Sequence, residues 1–311
     1  MRLMKPLLQV GVSIGIVGIV FWRVPVAALW STLAKLDAAL LAPALICVAA
    51  MLAVRSLKWH RLLLAGSYPA VPGESARSLF GGFALGLVFP GRIGELGRCL
   101  FVAESERPRV LLLNILDRAL DLWALLTLAV ASLFVLVARP AAISAVSIWL
   151  AFLPVLLGLP TLVAGLGRLP CWPKAFRAQL ADTPGLLAPI RTAPLAAWSL
   201  LSTFLDLLIF FCVLRAFHPA SFSVALATFV WIVLAGGLPV AFSGLGLREA
   251  AAALVLAPYA VPAAAALDAA LLSYALTAVL PAIVGGVWII CHRQRPRLKN
   301  VRELATLMGR A

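Results

Sequence analysis

Residues 78–98 decide how the chain is interpreted, and they read Ser-Leu-Phe-Gly-Gly-Phe-Ala-Leu-Gly-Leu-Val-Phe-Pro-Gly-Arg-Ile-Gly-Glu-Leu-Gly-Arg. The apolar part from Leu79 to Pro90 is 12 residues long, whereas a helix needs about 20 residues to cross a bilayer. A Pro-Gly break follows, and the next residues include the charged side chains Arg92, Glu95 and Arg98. The stretch therefore predicts a helix that enters a membrane and stops partway.

A second segment with the same organisation lies within residues 223–257. Its apolar run reaches Gly236-Gly237-Leu238-Pro239 and continues as Ser243-Gly244-Leu245-Gly246-Leu247-Arg248-Glu249. Discontinuous helices build binding sites in transporters, because the ends of half-helices leave backbone groups free to meet a ligand. We therefore expect the functional site at these two breaks.

The composition is that of a membrane protein. Of the 311 residues, 63% are hydrophobic and only 12% are charged, whereas a soluble domain is about 45–50% apolar and about 25% charged. The predicted fold is an all-α polytopic membrane protein with about six full transmembrane helices plus two broken or re-entrant segments. If those two segments cross the bilayer, the number of spans is eight.

The chain is predicted to form a single membrane domain over residues 1–311, ending in a short basic tail at 291–311. The predicted full spans cover approximately residues 4–22, 38–54, 111–138, 141–166, 195–217 and 263–290. Residues 24–37 are typical of an interfacial helix. The second span is expected to end at the basic cluster 55–61, with Trp59 as an aromatic anchor at the membrane surface.

The distribution of basic residues predicts the orientation. With six spans, five of the 26 Lys and Arg residues fall on the side opposite the termini, namely Arg23, Lys35, Arg139, Arg215 and Arg248. The rule that positive residues stay inside then places both termini in the cytoplasm. The first broken segment enters from the cytoplasm and the second from outside, which would be an inverted repeat around a site at mid-membrane.

Charged and polar residues gather at the two breaks and on two of the spans. Arg92, Glu95 and Arg98 share a helix face, and so do Asn114, Asp117 and Asp121. Because charges at membrane depth are costly unless they pair or line water, we expect the basic ladder at 92–98 to pair with the acidic stripe. The candidate substrate-binding residues are Arg92, Glu95, Arg98, Asn114, Asp117, Arg118, Asp121, Asp206, Gly244, Gly246, Arg248 and Glu249.

Arginine binds phosphate through bidentate hydrogen bonds, and backbone N–H groups at a half-helix start also attract anions. The natural ligand is therefore a phosphate-bearing headgroup. The alternative is an internal salt-bridge network that only holds the bundle together. No catalytic residues, cofactor or metal are predicted, because the sequence lacks a nucleotide-binding loop and its five cysteines are scattered. Nucleic acid is not expected as a partner, since the basic residues flank apolar runs.

Several segments resemble one family, the membrane region of lysylphosphatidylglycerol synthases and its stand-alone, flippase-like relatives. The matching segments are Arg55-Ser56-Leu57-Lys58-Trp59, Phe89-Pro90-Gly91-Arg92-Ile93-Gly94-Glu95-Leu96-Gly97-Arg98, Asp117-Arg118-Ala119-Leu120-Asp121 and Ser243-Gly244-Leu245-Gly246-Leu247-Arg248-Glu249. The resemblance implies a bacterial inner-membrane protein that moves, or helps move, a lipid with a polar headgroup between leaflets. It also implies no lysyl transfer, since the chain ends at Ala311 without the soluble aminoacyl-transferase domain of the two-part synthases.

Three hypotheses about function follow. The first is a flippase-like translocator for a lipid with a phosphate-containing or glycosylated headgroup, whose partners are membrane lipids, anionic or polyprenyl-linked. The second is an integral membrane transferase acting on a lipid-linked substrate, with Glu95, Asp117 or Asp121 as base. The third is a non-transporting accessory subunit of glycolipid assembly, beside a glycosyltransferase or another lipid-biosynthesis protein.

Overall fold

A computed structural model describes residues 38–88, 90–103, 106–137, 189–237 and 247–291, and the regular elements of this part are helical. In chain order they are α1 (Ala38–Ala65), α2 (Pro72–Val88), a 3₁₀ helix (Pro90–Phe101), α3 (Arg107–Val137), α4 (Pro189–Phe217), α5 (Phe222–Gly237), α6 (Leu247–Leu256), a 3₁₀ turn (Ala257–Tyr259), α7 (Ala263–Tyr274), a π-helical turn (Ala275–Val279) and α8 (Leu280–Cys291).

The predicted break at Pro90 is confirmed, and the chain folds back on itself there. α2 ends at Val88 and the 3₁₀ helix begins at Pro90. The two elements pack antiparallel: Gly94 lies so close to α2 that an added Cβ would be 2.1 Å from the Leu85 carbonyl oxygen. Nearer the far end of the hairpin, Ser78 Oγ donates a hydrogen bond to the Arg98 carbonyl at 2.9 Å.

Helix lengths separate the hairpin from the membrane-crossing helices. At a rise of 1.5 Å per residue, the 17 residues of α2 extend about 26 Å, which is less than the roughly 30 Å of a bilayer's hydrocarbon core. Within the described residues, three helical stretches are long and apolar enough to cross a membrane: Ala39–Ala65, Ala193–Phe217 and Ala263–Cys291.

The second predicted span is longer than expected. α1 continues through the basic cluster 55–61 to Ala65 instead of ending before it. Lys58 is 2% exposed and Trp59 is fully buried, so the interpretation of Trp59 as an aromatic anchor at the membrane surface is wrong. A charged residue after an apolar run predicts the end of a membrane span, but Lys58 is paired here with Asp117 and Asp121 of α3, which lie far away in sequence.

The predicted second break falls between α5 and α6, and most of it, residues 238–246, lies outside the described residues. The described part of α5 extends to Gly237, and α6 starts at Leu247 and packs against α5. The predicted last span corresponds to α7 and α8, which are joined through the π-helical turn into one continuous helix. π-turns are rare and occur often at functional sites.

Several predicted features lie outside the described residues. These are the spans at 4–22 and 141–166, the interfacial segment 24–37, almost all of the connection at 167–194, the terminal tail after Cys291, and the candidate residues Gly244 and Gly246.

Candidate functional site

α1 contributes two cations to the interior of the bundle, one turn apart. Arg55 and Lys58 are at positions i and i+3, so they lie on neighbouring parts of one helix face. Lys58 points toward α3 and α4, where its Nζ donates to the Ser199 hydroxyl at 3.1 Å. Arg55 pairs with Asp206 on α4 at 2.5 Å.

Asp117 on α3 is the centre of a group of ion pairs. Its Oδ1 lies 2.7 Å from Lys58 Nζ, and its Oδ2 lies 2.7 Å from Arg98 Nη1. Arg118 adds a third cation at 3.1 Å. The predicted pairing of the 92–98 ladder with the acidic stripe is therefore confirmed for Arg98 and Asp117.

Two further carboxylates complete this group. Glu95 Oε2 lies 2.8 Å from Arg118 Nη1 and 3.7 Å from Arg98 Nη2. Asp121 contacts Lys58 at 2.5 Å and Arg118 at 3.4 Å. Asn114 Nδ2 donates to the Glu95 main-chain carbonyl at 2.8 Å, which ties α3 to the 3₁₀ helix.

We call Lys58, Glu95, Arg98, Asp117, Arg118 and Asp121 the ion-pair network. It holds three cations and three carboxylates, so its formal charges balance. Each ion in an apolar interior carries a desolvation cost of several kcal/mol, which close pairing offsets. An incoming anion would have to displace a carboxylate here, so the network does not by itself provide a phosphate site.

A cavity of about 60 Å³ lies beside the network, between α1, α4, α5, α6 and α7. We call it the arginine cavity. Its polar lining consists of Arg55, Asp206, Arg248, Ser273, Tyr274 and Thr277, and its apolar lining includes Phe210 and Phe229. Because Asp206 is paired with Arg55, the second arginine, Arg248, gives the lining one positive formal charge in excess, which suits an anionic group.

Arg248, the charge that follows the second break, is held by packing. It is buried, its guanidinium carbon lies 5.0 Å from the centre of the Tyr274 ring, and its side chain crosses Gly236 at the end of α5. Arg98 after the first break is placed in the same way: it crosses Gly82 of α2, and its guanidinium carbon lies 4.9 Å from the Trp59 ring. After each predicted break, one arginine side chain thus packs across a glycine and against an aromatic ring.

The Phe83 ring lies close to one arginine of each site. Its ring centre lies 6.0 Å from the guanidinium carbon of Arg55 and 5.9 Å from that of Arg98. Arginine over an aromatic face is stabilised by cation–π attraction. The network and the arginine cavity are therefore neighbours across one aromatic side chain.

The structure divides the predicted site residues into two groups. Glu95, Arg98, Asn114, Asp117, Arg118 and Asp121 come together around the network, whereas Asp206 and Arg248 line the arginine cavity. Glu249 follows Arg248 at the start of α6 and is partly buried. Arg92 lies in the 3₁₀ helix, and its side chain is outside the described part of the structure.

Five polar residues of the two sites are missing from the sequence-based set: Arg55, Lys58, Ser273, Tyr274 and Thr277. The i, i+3 spacing of Arg55 and Lys58 after an apolar run could have indicated them. If the helix continues past the apolar run, two cations on one helix face need anionic partners. Ser273 and Thr277 gave no signal, since Ser and Thr in apolar helices commonly bond to their own backbone.

The fold and this interior define the chain as a helical membrane protein with buried, paired charges beside broken helices. The model of the lysylphosphatidylglycerol synthase TM region matches residues 7–285. The chain therefore belongs to that family, which agrees with the resemblance of its motifs. No curated protein and no solved structure matches the chain.

Proposed function

We propose that this protein moves a lipid with a phosphate-bearing headgroup between the leaflets of the bacterial inner membrane. The observation that carries the proposal is the arginine cavity, where Arg248 and the ion pair of Arg55 with Asp206 line one space inside the bundle. Guanidinium groups bind phosphate oxygens in bidentate geometry. A cationic cavity within membrane-crossing helices is a suitable intermediate position for an anionic headgroup.

Apolar surface around the bundle supports a lipid substrate. α8 exposes Ile283, Val284 and Val287, and α1 exposes Ile46. Large exposed apolar side chains on long helices are suited to contact with acyl chains. The headgroup would occupy the polar interior while the acyl chains stay outside among these side chains.

We also propose the six-span topology with cytoplasmic termini and two re-entrant segments of opposite direction. The antiparallel packing of α2 and the 3₁₀ helix supports re-entry of the first segment. The excess of Lys and Arg on the terminal side supports the orientation. The corresponding placement of Arg98 and Arg248 across Gly82 and Gly236 supports a repeated unit.

The sequence carries no nucleotide-binding loop. We therefore propose that movement is downhill or coupled to protons or the membrane potential. In this account the ion-pair network keeps the broken helix fixed to α1 and α3, and the cavity receives the headgroup.

The transferase hypothesis is less well supported. Its candidate bases, Glu95, Asp117 and Asp121, each lie within ion-pair distance of a cation. A carboxylate held by cations is a weaker base, because the neighbouring positive charge favours its ionised form.

Reconstitution tests the proposal. Purified protein in liposomes with acyl-chain-fluorescent phospholipids should equilibrate them between leaflets faster than protein-free vesicles, as measured by dithionite quenching of the outer leaflet. A rate equal to that of protein-free vesicles for every phospholipid would contradict the proposal. Product formation from an activated sugar or aminoacyl donor in the same vesicles would favour the transferase.

A further inference from the structure

Two hydroxyl groups that line the arginine cavity each donate their only hydrogen to a backbone carbonyl. Ser273 Oγ donates to the Ala269 carbonyl at 2.6 Å, and Thr277 Oγ1 donates to the Ser273 carbonyl at 2.8 Å. A hydroxyl group has one hydrogen and two lone pairs. In this conformation, both oxygens can therefore only accept hydrogen bonds from a ligand.

Apart from the Tyr274 phenol, which can donate or accept, the polar lining contains two chemical kinds of group. Arg55 and Arg248 are donors only, because guanidinium groups have no acceptor. Asp206, Ser273 and Thr277 offer acceptors. A ligand that consists of phosphate oxygens alone would satisfy the arginines but would place acceptor against acceptor at the hydroxyl groups.

Cavity size limits the ligand further. The cavity volume of about 60 Å³ exceeds the roughly 10–15 Å³ that one water needs, so the cavity has room for more than a single water. That space suits a phosphate with a short polar substituent better than an oligosaccharide.

We propose that the arginine cavity selects small phospholipid headgroups that carry N–H or O–H donors beside the phosphate. The phosphate binds Arg55 and Arg248, and the donor group binds Asp206, Ser273 and Thr277. This inference rests on the proposed function, because it takes the ligand to be a membrane lipid. It narrows the substrate from phosphate-containing or glycosylated lipids in general to small, donor-bearing headgroups.

Phosphatidylethanolamine and phosphatidylcholine are matched probes for this selectivity. Both have one phosphate and one cationic nitrogen, but only the ethanolamine nitrogen carries N–H donors. In liposomes holding the full chain, acyl-labelled phosphatidylethanolamine should equilibrate about three to ten times faster than phosphatidylcholine, the effect of about one net hydrogen bond. The N,N-dimethyl analogue, nearly as bulky as choline but with one N–H, should behave like ethanolamine.

Two substitutions test the acceptor side. Ser273→Ala and Thr277→Val should each bring the ratio of ethanolamine to choline rates toward one, because each removes an acceptor from the cavity. Ser132→Ala and Thr228→Val are matched controls, since these buried hydroxyl groups also donate to their own helix backbone but do not line the cavity. The controls should keep the wild-type ratio.

Native mass spectrometry of the purified protein with the same lipids separates this inference from the proposed function. Equal rates and equal binding of the ethanolamine and choline lipids would overturn the inference, and the proposed function would stand if both moved. Preferential binding of the ethanolamine lipid, lost in Ser273→Ala, with no movement of any lipid would support the inference and overturn translocation. If the N,N-dimethyl lipid equilibrates as slowly as phosphatidylcholine, the rates depend on headgroup bulk and not on N–H donors, which would also overturn the inference.

Discussion

Asp117 lies in contact with three cations from three different elements of the bundle. Lys58 comes from α1, Arg98 from the 3₁₀ helix and Arg118 from the next position on α3. The carboxylate and its partners Lys58 and Arg98 are almost fully buried, whereas the Arg118 side chain is 34% exposed. Removing the carboxylate charge leaves Lys58 and Arg98 in the interior without their shared anion, which is far more costly than losing a pair at a surface.

At the residue scale, Asp117→Asn should therefore destabilise the protein by about 3–5 kcal/mol. The free energy of unfolding can be measured by titrating detergent-solubilised protein with a denaturing detergent. Glu106→Gln is the control, because its pair with Arg109 is partly exposed and should contribute less than about 1 kcal/mol. Equal losses in the two variants would contradict a structural role for the network.

At the element scale, each predicted break is followed by an arginine whose side chain crosses a glycine of the preceding helix. Arg98 crosses Gly82, and Arg248 crosses Gly236. An added Cβ at Gly236 would lie 2.0 Å from Arg248 Nε and 2.4 Å from its Cγ, so the arginine would have to move. At the neighbouring Gly237, an added Cβ would meet nothing within 4 Å among the described residues. Alanine substitutions at these adjacent glycines therefore separate the effect of the contact with Arg248 from the effect of losing a glycine.

Gly236→Ala should displace Arg248 from Tyr274 and lower the rate of lipid equilibration by roughly tenfold or more, the worth of a hydrogen bond to a charged group. Gly237→Ala should keep the wild-type rate. Dithionite quenching in matched liposomes gives both rates. If the two variants translocate lipid equally well, Arg248 does not depend on this contact.

The bounds and contacts of the elements differ in how well they could be predicted from the sequence. The end of α2 followed from a local signal, the Pro-Gly pair after a short apolar run. The pairing of Arg98 with Asp117 followed from helical spacing and the cost of burying charge. The extent of α1 could not be predicted, because Lys58 is buried by carboxylates that only the tertiary fold brings close. The acceptor role of Ser273 and Thr277 depends on hydrogen-bond direction, which spacing does not encode.

At the scale of the whole molecule, the hairpin of α2 and the 3₁₀ helix makes a topological prediction. Gly73 and Ala103, near its two ends, are both exposed. Cysteines placed there, after replacement of the native cysteines, should react with an impermeant reagent from the same face. A cysteine at Ala39, near the other end of α1, should react from the opposite face. Reaction of positions 73 and 103 from opposite faces would mean that the segment crosses the membrane.

We propose that Arg248, inside the bundle, binds the headgroup of a translocated lipid. The most direct test compares Arg248→Gln with Arg215→Gln, which makes the same substitution at an exposed arginine near the end of α4. Leaflet equilibration of phosphatidylethanolamine in liposomes should fall roughly tenfold or more in Arg248→Gln and stay at the wild-type rate in Arg215→Gln. An unchanged rate in a correctly folded Arg248→Gln protein would show that Arg248 does not bind the headgroup during translocation.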